Sequence, residues 1–178
     1  MRTLKIGDPA QDFRLPGVNG KDYGLKDFSD RKVVIVMFSC NHCPTVKAYE
    51  GRFIELQHNY EEKGVTLIAI NPNDDKQYPE DSFENMKIRA REKSFNFPYL
   101  RDESQKVAKA YGAERTPEIF VFDKERILRY HGRIDDNVHN PNQVHQRYLR
   151  DAIDALLEGK EVPLEETEPI GCTVKWKR

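Results

Sequence analysis

Apolar residues run unbroken through Val33-Val34-Ile35-Val36-Met37-Phe38 and, with one threonine, through Val65-Thr66-Leu67-Ile68-Ala69-Ile70. A half-exposed strand alternates apolar and polar positions, so runs this uniform predict central strands covered on both faces. Between them Val46, Tyr49, Phe53, Leu56 and Tyr60 recur at steps of three and four. That spacing predicts an amphipathic helix over 45–60, with Pro44 in its first turn, where a missing N–H costs little. Upstream, Phe13 and Leu15 alternate with polar residues ahead of Asn19-Gly20, a hairpin-turn signal, so a small β-hairpin is expected within 11–28.

Beyond the second apolar run, Pro79-Glu80-Asp81-Ser82-Phe83-Glu84 reads as a helix start. Asp81 is its expected cap, Glu84 lies three residues on, and Phe83, Met86 and Ala90 form its apolar edge. A short strand over 97–100 and a brief helix over 104–111, ended by Gly112, come next. Two antiparallel strands, 118–123 and 127–131, flank a Lys124-Glu125 turn. The last helix is expected to open at Asn140-Pro141, to carry Val144, Tyr148, Ala152 and Leu156, and to stop at Gly159. This order predicts an α/β protein with a mixed central sheet, helices on both faces and a right-handed β-α-β crossover. No repeat or internal boundary interrupts it, so residues 1–178 read as a single domain: a body over about 5–157 and a tail over 158–178 without periodicity.

The 178 residues are enough to bury a real core. With 38% hydrophobic and 33% charged residues and a net charge of -1, the chain has no overall attraction to nucleic acid or an anionic membrane. No apolar run approaches the ~20 residues of a membrane span. Residues 1–10 lack an apolar signal region, and three cysteines are too few for a disulfide scaffold. A reducing cytoplasmic location is the expectation.

The candidate chemistry is Cys40-Asn41-His42-Cys43-Pro44, directly after the first apolar run and opening the first helix. Helix N-termini stabilise anions, so a cysteine placed there is biased toward the reactive thiolate. A structural zinc site would need a second ligand pair, but Cys172 is single and His58, His131, His139 and His145 form no spaced pair with it. Cys40 is expected as the outer nucleophile and Cys43, one turn further in, as the thiol that resolves a mixed disulfide. His42 either adds positive charge beside the thiolate or is an exposed loop residue. A second constellation is Thr116-Pro117 before Glu118-Ile119-Phe120-Val121-Phe122. Proline removes a ladder donor and is tolerated at a strand's first residue. The pair is either an ordinary loop–strand junction or a loop set against the sulfurs, offering the Thr116 backbone to an extended substrate.

These residues resemble the thioredoxin-fold superfamily, and within it the redoxin group that includes peroxiredoxin-like and membrane-tethered thiol reductases. The resemblance spans about residues 5–157 and rests on the hairpin, Phe38-Ser39-Cys40-Asn41-His42-Cys43-Pro44, and Thr116-Pro117 before Ile119-Phe120-Val121-Phe122-Asp123. It implies a thioredoxin-like fold with an N-terminal β-hairpin extension, a cis Pro117 packed on the dithiol, and a redox-active Cys40–Cys43 disulfide. It further implies no metal and no cofactor beyond the dithiol, with protein disulfides as substrates and an upstream thiol as reductant. Ser39 and Asn41-His42 replace the thioredoxin Trp and Gly-Pro, and residues 33–37 lack the usual buried Asp. Glu118 is then a candidate proton acceptor, or else an outward-facing strand residue.

Cys43-Pro44-Thr45 looks like the peroxiredoxin Cys-Pro-Thr, with Cys40 where a peroxidase has Thr; the swap favours exchange, with thiol peroxidase as an alternative. Arg133 is either the cation such chemistry needs or a surface residue. A second alternative is a copper or metal carrier using the cysteines plus His131, His139 or His145, although such carriers usually space their cysteines by three residues. Cys172, near the only Trp at 176, is either a third thiol docked by the tail or a buried cysteine beneath that Trp.

Overall fold

The computed structural model describes residues 4–178. Strands β1 (Arg14–Pro16) and β2 (Asp22–Gly24) form the expected antiparallel hairpin, with Leu15 opposite Tyr23. Gly20 takes φ +84 in the turn, a left-handed conformation that glycine adopts without a Cβ penalty. The main chain then follows β3 (Val33–Phe38), α1 (Pro44–Tyr60), β4 (Val65–Asn71), α2 (Phe83–Glu92), β5 (Tyr99–Arg101) and α3 (Lys106–Tyr111). It continues through β6 (Arg115–Thr116), β7 (Glu118–Phe122), β8 (Leu128–Gly132), α4 (Tyr148–Leu157) and β9 (Cys172–Thr173). The central sheet has the order β5-β4-β3-β7-β8. β3, β4 and β5 are parallel, and β7 and β8 run antiparallel to them.

Strict alternation along the apolar runs builds two cores. Val33, Ile35, Met37, Val65, Leu67, Ile119 and Val121 face a layer containing Val46, Tyr49 and Phe53 of α1 and Leu149, Ala152 and Ile153 of α4. Val34, Val36, Phe38, Ile68, Ile70, Phe120 and Phe122 face Phe13, Leu25, Phe28, Ala108 and Tyr111. Every residue of β3 and β4 is buried, as their uniform apolar character requires.

Two elements differ from expectation. The α2 cap is Ser82, whose Oγ accepts from Asn85 N at 3.1 Å; Asp81 is withdrawn into the body instead. Residues 141–143 form one 3-10 turn capped by Asn140, and α4 begins only at Tyr148. The reason is local: Asp136 Oδ1 accepts from His145 N at 2.9 Å, and Asp136 N donates to Gln146 O at 3.2 Å, which holds that segment extended. The tail is docked along its length. His131 N donates to Glu165 O, Thr167 N donates to His131 O, and β9 pairs antiparallel with β6.

Phe38 closes β3 just before the cysteine motif, fully buried, with its ring 5.4 Å from Tyr111 and 5.8 Å from Phe120. Phe38→Ala is expected to cost about 3–5 kcal/mol of stability. Denaturant unfolding checks this; a cost near zero would show that the second core does not depend on this ring.

Candidate functional site

The parallel strands β3 and β4 end side by side, so the loops after their carboxyl ends converge, as is usual for ligand sites in open α/β sheets. The first carries Cys40–Cys43 and the second begins at Asn71. Ser39 N donates to Ile70 O at 2.8 Å and joins the two. Cys43 is the N-cap of α1, with Pro44 in the first turn. Opposite stands the Thr116–Pro117 bond, which is cis. Cys40 Sγ lies 3.4 Å from Thr116 Oγ1, and Cys43 Sγ lies 3.4 Å from Thr116 O. Cysteines 40, 43 and 172 are free thiols.

Cys40 is 2% exposed and Cys43 is 0% exposed, so Cys40 is not the open, outer sulfur expected from sequence. The charge is also placed the other way. The Cys40 thiol donates to Cys43, which lowers the Cys43 pKa to about 4; burial opposes this, while the Cys172 thiol and the N–H groups of Val46 and Cys172 support it. Cys40 is pushed up by that same contact, then by burial and by the Asp81 carboxylate. The contact thus makes Cys43 the more acidic and Cys40 the less acidic of the two sulfurs. The Thr116 O contact suits a protonated Cys43 and works against that acidity.

Asp81 was not recognised as part of this site. It is fully buried, and its carboxylate accepts from Asn41 N at 2.6 Å, Asn71 Nδ2 at 3.2 Å and Asn73 Nδ2 at 3.0 Å, and pairs with His42 Nδ1. His42 stacks on Tyr78 with centroids 5.4 Å apart, and Tyr99 Oη donates to Asn41 Oδ1 at 2.7 Å. The two residues between the cysteines are thus gripped from 71–81. Polar residues packed directly after the apolar run of β4 (Asn71, Asn73, Asp74) are the signal in sequence, since all of them are buried.

Glu118 does not face the sulfurs. It shares its strand face with Phe120, and its carboxylate accepts from Glu114 N and Arg115 N at 2.9 Å each and from His131 Nε2 at 2.7 Å. Burial disfavours the charged His131, but Glu118 and Glu166 outweigh it and hold the imidazole above its usual range. Arg133 also serves the tail: its Nε donates to Glu168 O at 2.9 Å, and its guanidinium lies 6.0 Å from the Tyr148 ring centre. Among the described residues, ligand-type atoms of Cys40, His42 and Asp81 lie within 4.8 Å of one another, whereas His131, His139 and His145 join no such group. The Asp81 oxygens are already spent on four partners, which leaves a poor donor set for a metal.

The tail fills the remaining side. Thr116 is paired with Cys172 and Arg115 with Thr173, and Val174 is buried. Cys172 packs against the core that holds both other cysteines. Trp176 does not cover it: the indole is 37% exposed and lies 5.8 Å from Lys109 Nζ. The backbone edge of Thr116, expected to receive an extended substrate, is occupied by the chain's own strand.

A family model described as AhpC/TSA family matches residues 6–131. ResA, a thiol-disulfide oxidoreductase of Geobacillus thermodenitrificans, is 27% identical over 124 residues, 68% of this chain and 66% of that protein, just under two thirds of its length. A protein bearing the peroxiredoxin name bcp from Helicobacter pylori is 28% identical over 113 residues, 64% of this chain and 69% of that protein. The crystal structure of an uncharacterized conserved protein from Geobacillus kaustophilus superposes with a TM-score of 0.92 at 44% identity, covering 97% of this chain and 93% of that one. The fold is thioredoxin-like.

Thiolate absorbance of the reduced protein should persist as pH falls and disappear through about 4, the Cys43 value. Cys40→Ala removes the main donor and should move that midpoint up by about 1–2 pH units, because a hydrogen bond to a charged group is worth about 1.5–3 kcal/mol. An unmoved midpoint would show that Cys40 does not hold the shared proton.

Proposed function

This chain belongs to the AhpC/TSA family, and from that premise we propose that it is a thiol–disulfide oxidoreductase exchanging disulfides through Cys40 and Cys43. The observation that carries the reading is two free thiols set together at a helix N-terminus, with the sulfurs of Cys40 and Cys43 each 3.4 Å from Thr116 and Cys43 the more acidic of the two. The Cys43 thiolate attacks one sulfur of a partner disulfide, and the partner's other sulfur leaves with the electron pair and takes a proton. Cys40 then attacks the Cys43 sulfur, the Cys40–Cys43 bond forms, and the second partner thiol is released.

The chemistry needs no cofactor beyond the dithiol, and an upstream thiol reductant restores it. Protein disulfides are the proposed substrates, and such a partner reaches Cys43 only once β9 leaves the Thr116 edge. The proposed setting is the reducing cytoplasm, since three free cysteines form no disulfide framework; among the described residues no helix is long and apolar enough to cross a membrane.

In Cys172→Ser protein equilibrated with glutathione redox buffers, Cys40 and Cys43 should lose their thiols together, as a two-electron couple mapped to one intramolecular disulfide. Two thiols titrating independently, with no Cys40–Cys43 bond, would sink the reading.

Peroxide reduction is the second reading, favoured by the acidity of Cys43 and by its place in Cys43-Pro44-Thr45. Cys43 would take oxygen from a hydroperoxide, release the alcohol or water, and condense with Cys40 to give the disulfide and water. The exchange reading expects reduced protein to be oxidised faster by glutathione disulfide than by hydrogen peroxide at equal concentration. The reverse order, abolished in Cys43→Ser, would place the protein with the peroxidases.

A further inference from the structure

The third thiol stands where the exchange chemistry needs a partner. Cys172 is the residue register-paired with Thr116, and Thr116 contacts both other sulfurs. The approach is tight: a Cβ on Gly171 would lie 2.0 Å from Thr116 O and 3.1 Å from Pro117 Cδ. The strand is also fixed from its far side, by Val174 N to Glu114 O at 2.9 Å, Lys175 N to Asn73 Oδ1 at 2.8 Å and Lys177 N to Gln105 Oε1 at 3.0 Å. An antiparallel strand laid on Thr116, with its cysteine beside the dithiol, takes the edge where the exchange reading seats a disulfide substrate, and the chain itself supplies it.

We propose that Cys172 is a third redox thiol, which attacks Cys43 in the Cys40–Cys43 disulfide and moves the bond to Cys43–Cys172. The inference rests on the exchange reading above. The S–S bond between Cys40 and Cys43 breaks as that between Cys43 and Cys172 forms. The electron pair leaves on Cys40, and the proton lost by Cys172 ends there, so the step is an isomerisation without an external oxidant or reductant. In the reduced protein, burial and then the Cys43 thiolate hold the Cys172 thiol up at about 11. Oxidation of Cys43 discharges that neighbour and frees Cys172 to ionise. The transfer carries the disulfide from two closed sulfurs to one that includes the partly exposed Cys172, where a reductant thiol can reach it.

The test uses the full chain as wild type, Cys40→Ser, Cys172→Ser and Gly171→Ala. Each is reduced, oxidised with glutathione disulfide, quenched with acid and alkylating agent, and mapped by peptide mass. Cys40→Ser should close a Cys43–Cys172 disulfide within one chain. Wild type should hold both pairings. Gly171→Ala, which keeps all three thiols but lifts β9 from Thr116, should lose most of the Cys43–Cys172 fraction and retain Cys40–Cys43. Suppose Cys172→Ser forms Cys40–Cys43, yet Cys40→Ser stops at a Cys43–glutathione mixed disulfide and wild type shows Cys40–Cys43 alone. The transfer is then overturned and the exchange reading stands. If Cys172→Ser forms no Cys40–Cys43 bond, the exchange reading falls and the transfer step falls with it.

Discussion

A buried carboxylate organises the site. Asp81 has no exposed surface, and burying such a group is costly unless its oxygens are satisfied. Four groups satisfy them, two from the cysteine motif (Asn41 N and His42), one from the last residue of β4 (Asn71) and one from the loop after it (Asn73). The spacer between the cysteines is therefore held by contacts from outside its own helix, and the 71–81 segment is held by the motif in return. Asn73 extends the connection, because its Oδ1 accepts from Lys175 N of the tail. Motif, loop and tail are three parts of one polar network.

The same carboxylate adds to the difference between the sulfurs, after their mutual contact and burial. A negative group near Cys40 disfavours a second negative charge there, and like charges in a shared site push their protonation states apart. Cys43 sits on the opposite side, at the start of α1, where the Val46 N–H points at it. Helix N-terminus and buried acid thus act in one direction, making the second cysteine the more acidic. The arrangement inverts the order that spacing alone suggests, because spacing places a cysteine on the helix but says nothing of a carboxylate brought in from forty residues away along the chain.

That distinction separates what was readable in the chain from what was not. β3 and β4 announce themselves by uniform apolar runs, and α1 by its periodicity, since burial on both faces or on one stripe leaves a direct trace in residue type. Thr116-Pro117 was ambiguous in the residues alone, where an ordinary loop–strand junction fits as well, and only the resemblance set it against the sulfurs. Asp81 was misread as a helix cap because Asp81-Ser82 offers two capping residues in succession, and only tertiary partners decide which one caps. Glu118 was ambiguous because all five residues of β7 are buried, so alternation could not say which core it faced. The tail left no periodic signal because it is attached mainly through backbone bonds and side-chain oxygens, which any sequence can make.

Docking of the tail balances closure against access. β9 pairs with β6 over only two residues, and its remaining attachments are individual hydrogen bonds plus the buried Val174. Segments held by few apolar contacts open at far lower cost than the core, where both sheet faces are covered. The reduced dithiol is consequently shielded by an element that opens without disturbing the β3–β4–β7 sheet beneath it. On the exchange proposal, a partner chain would compete with β9 for the same Thr116 backbone edge. On that proposal selectivity would lie less in a preformed pocket than in displacement, because the chain's own 171–174 segment already holds the edge that an incoming disulfide must take.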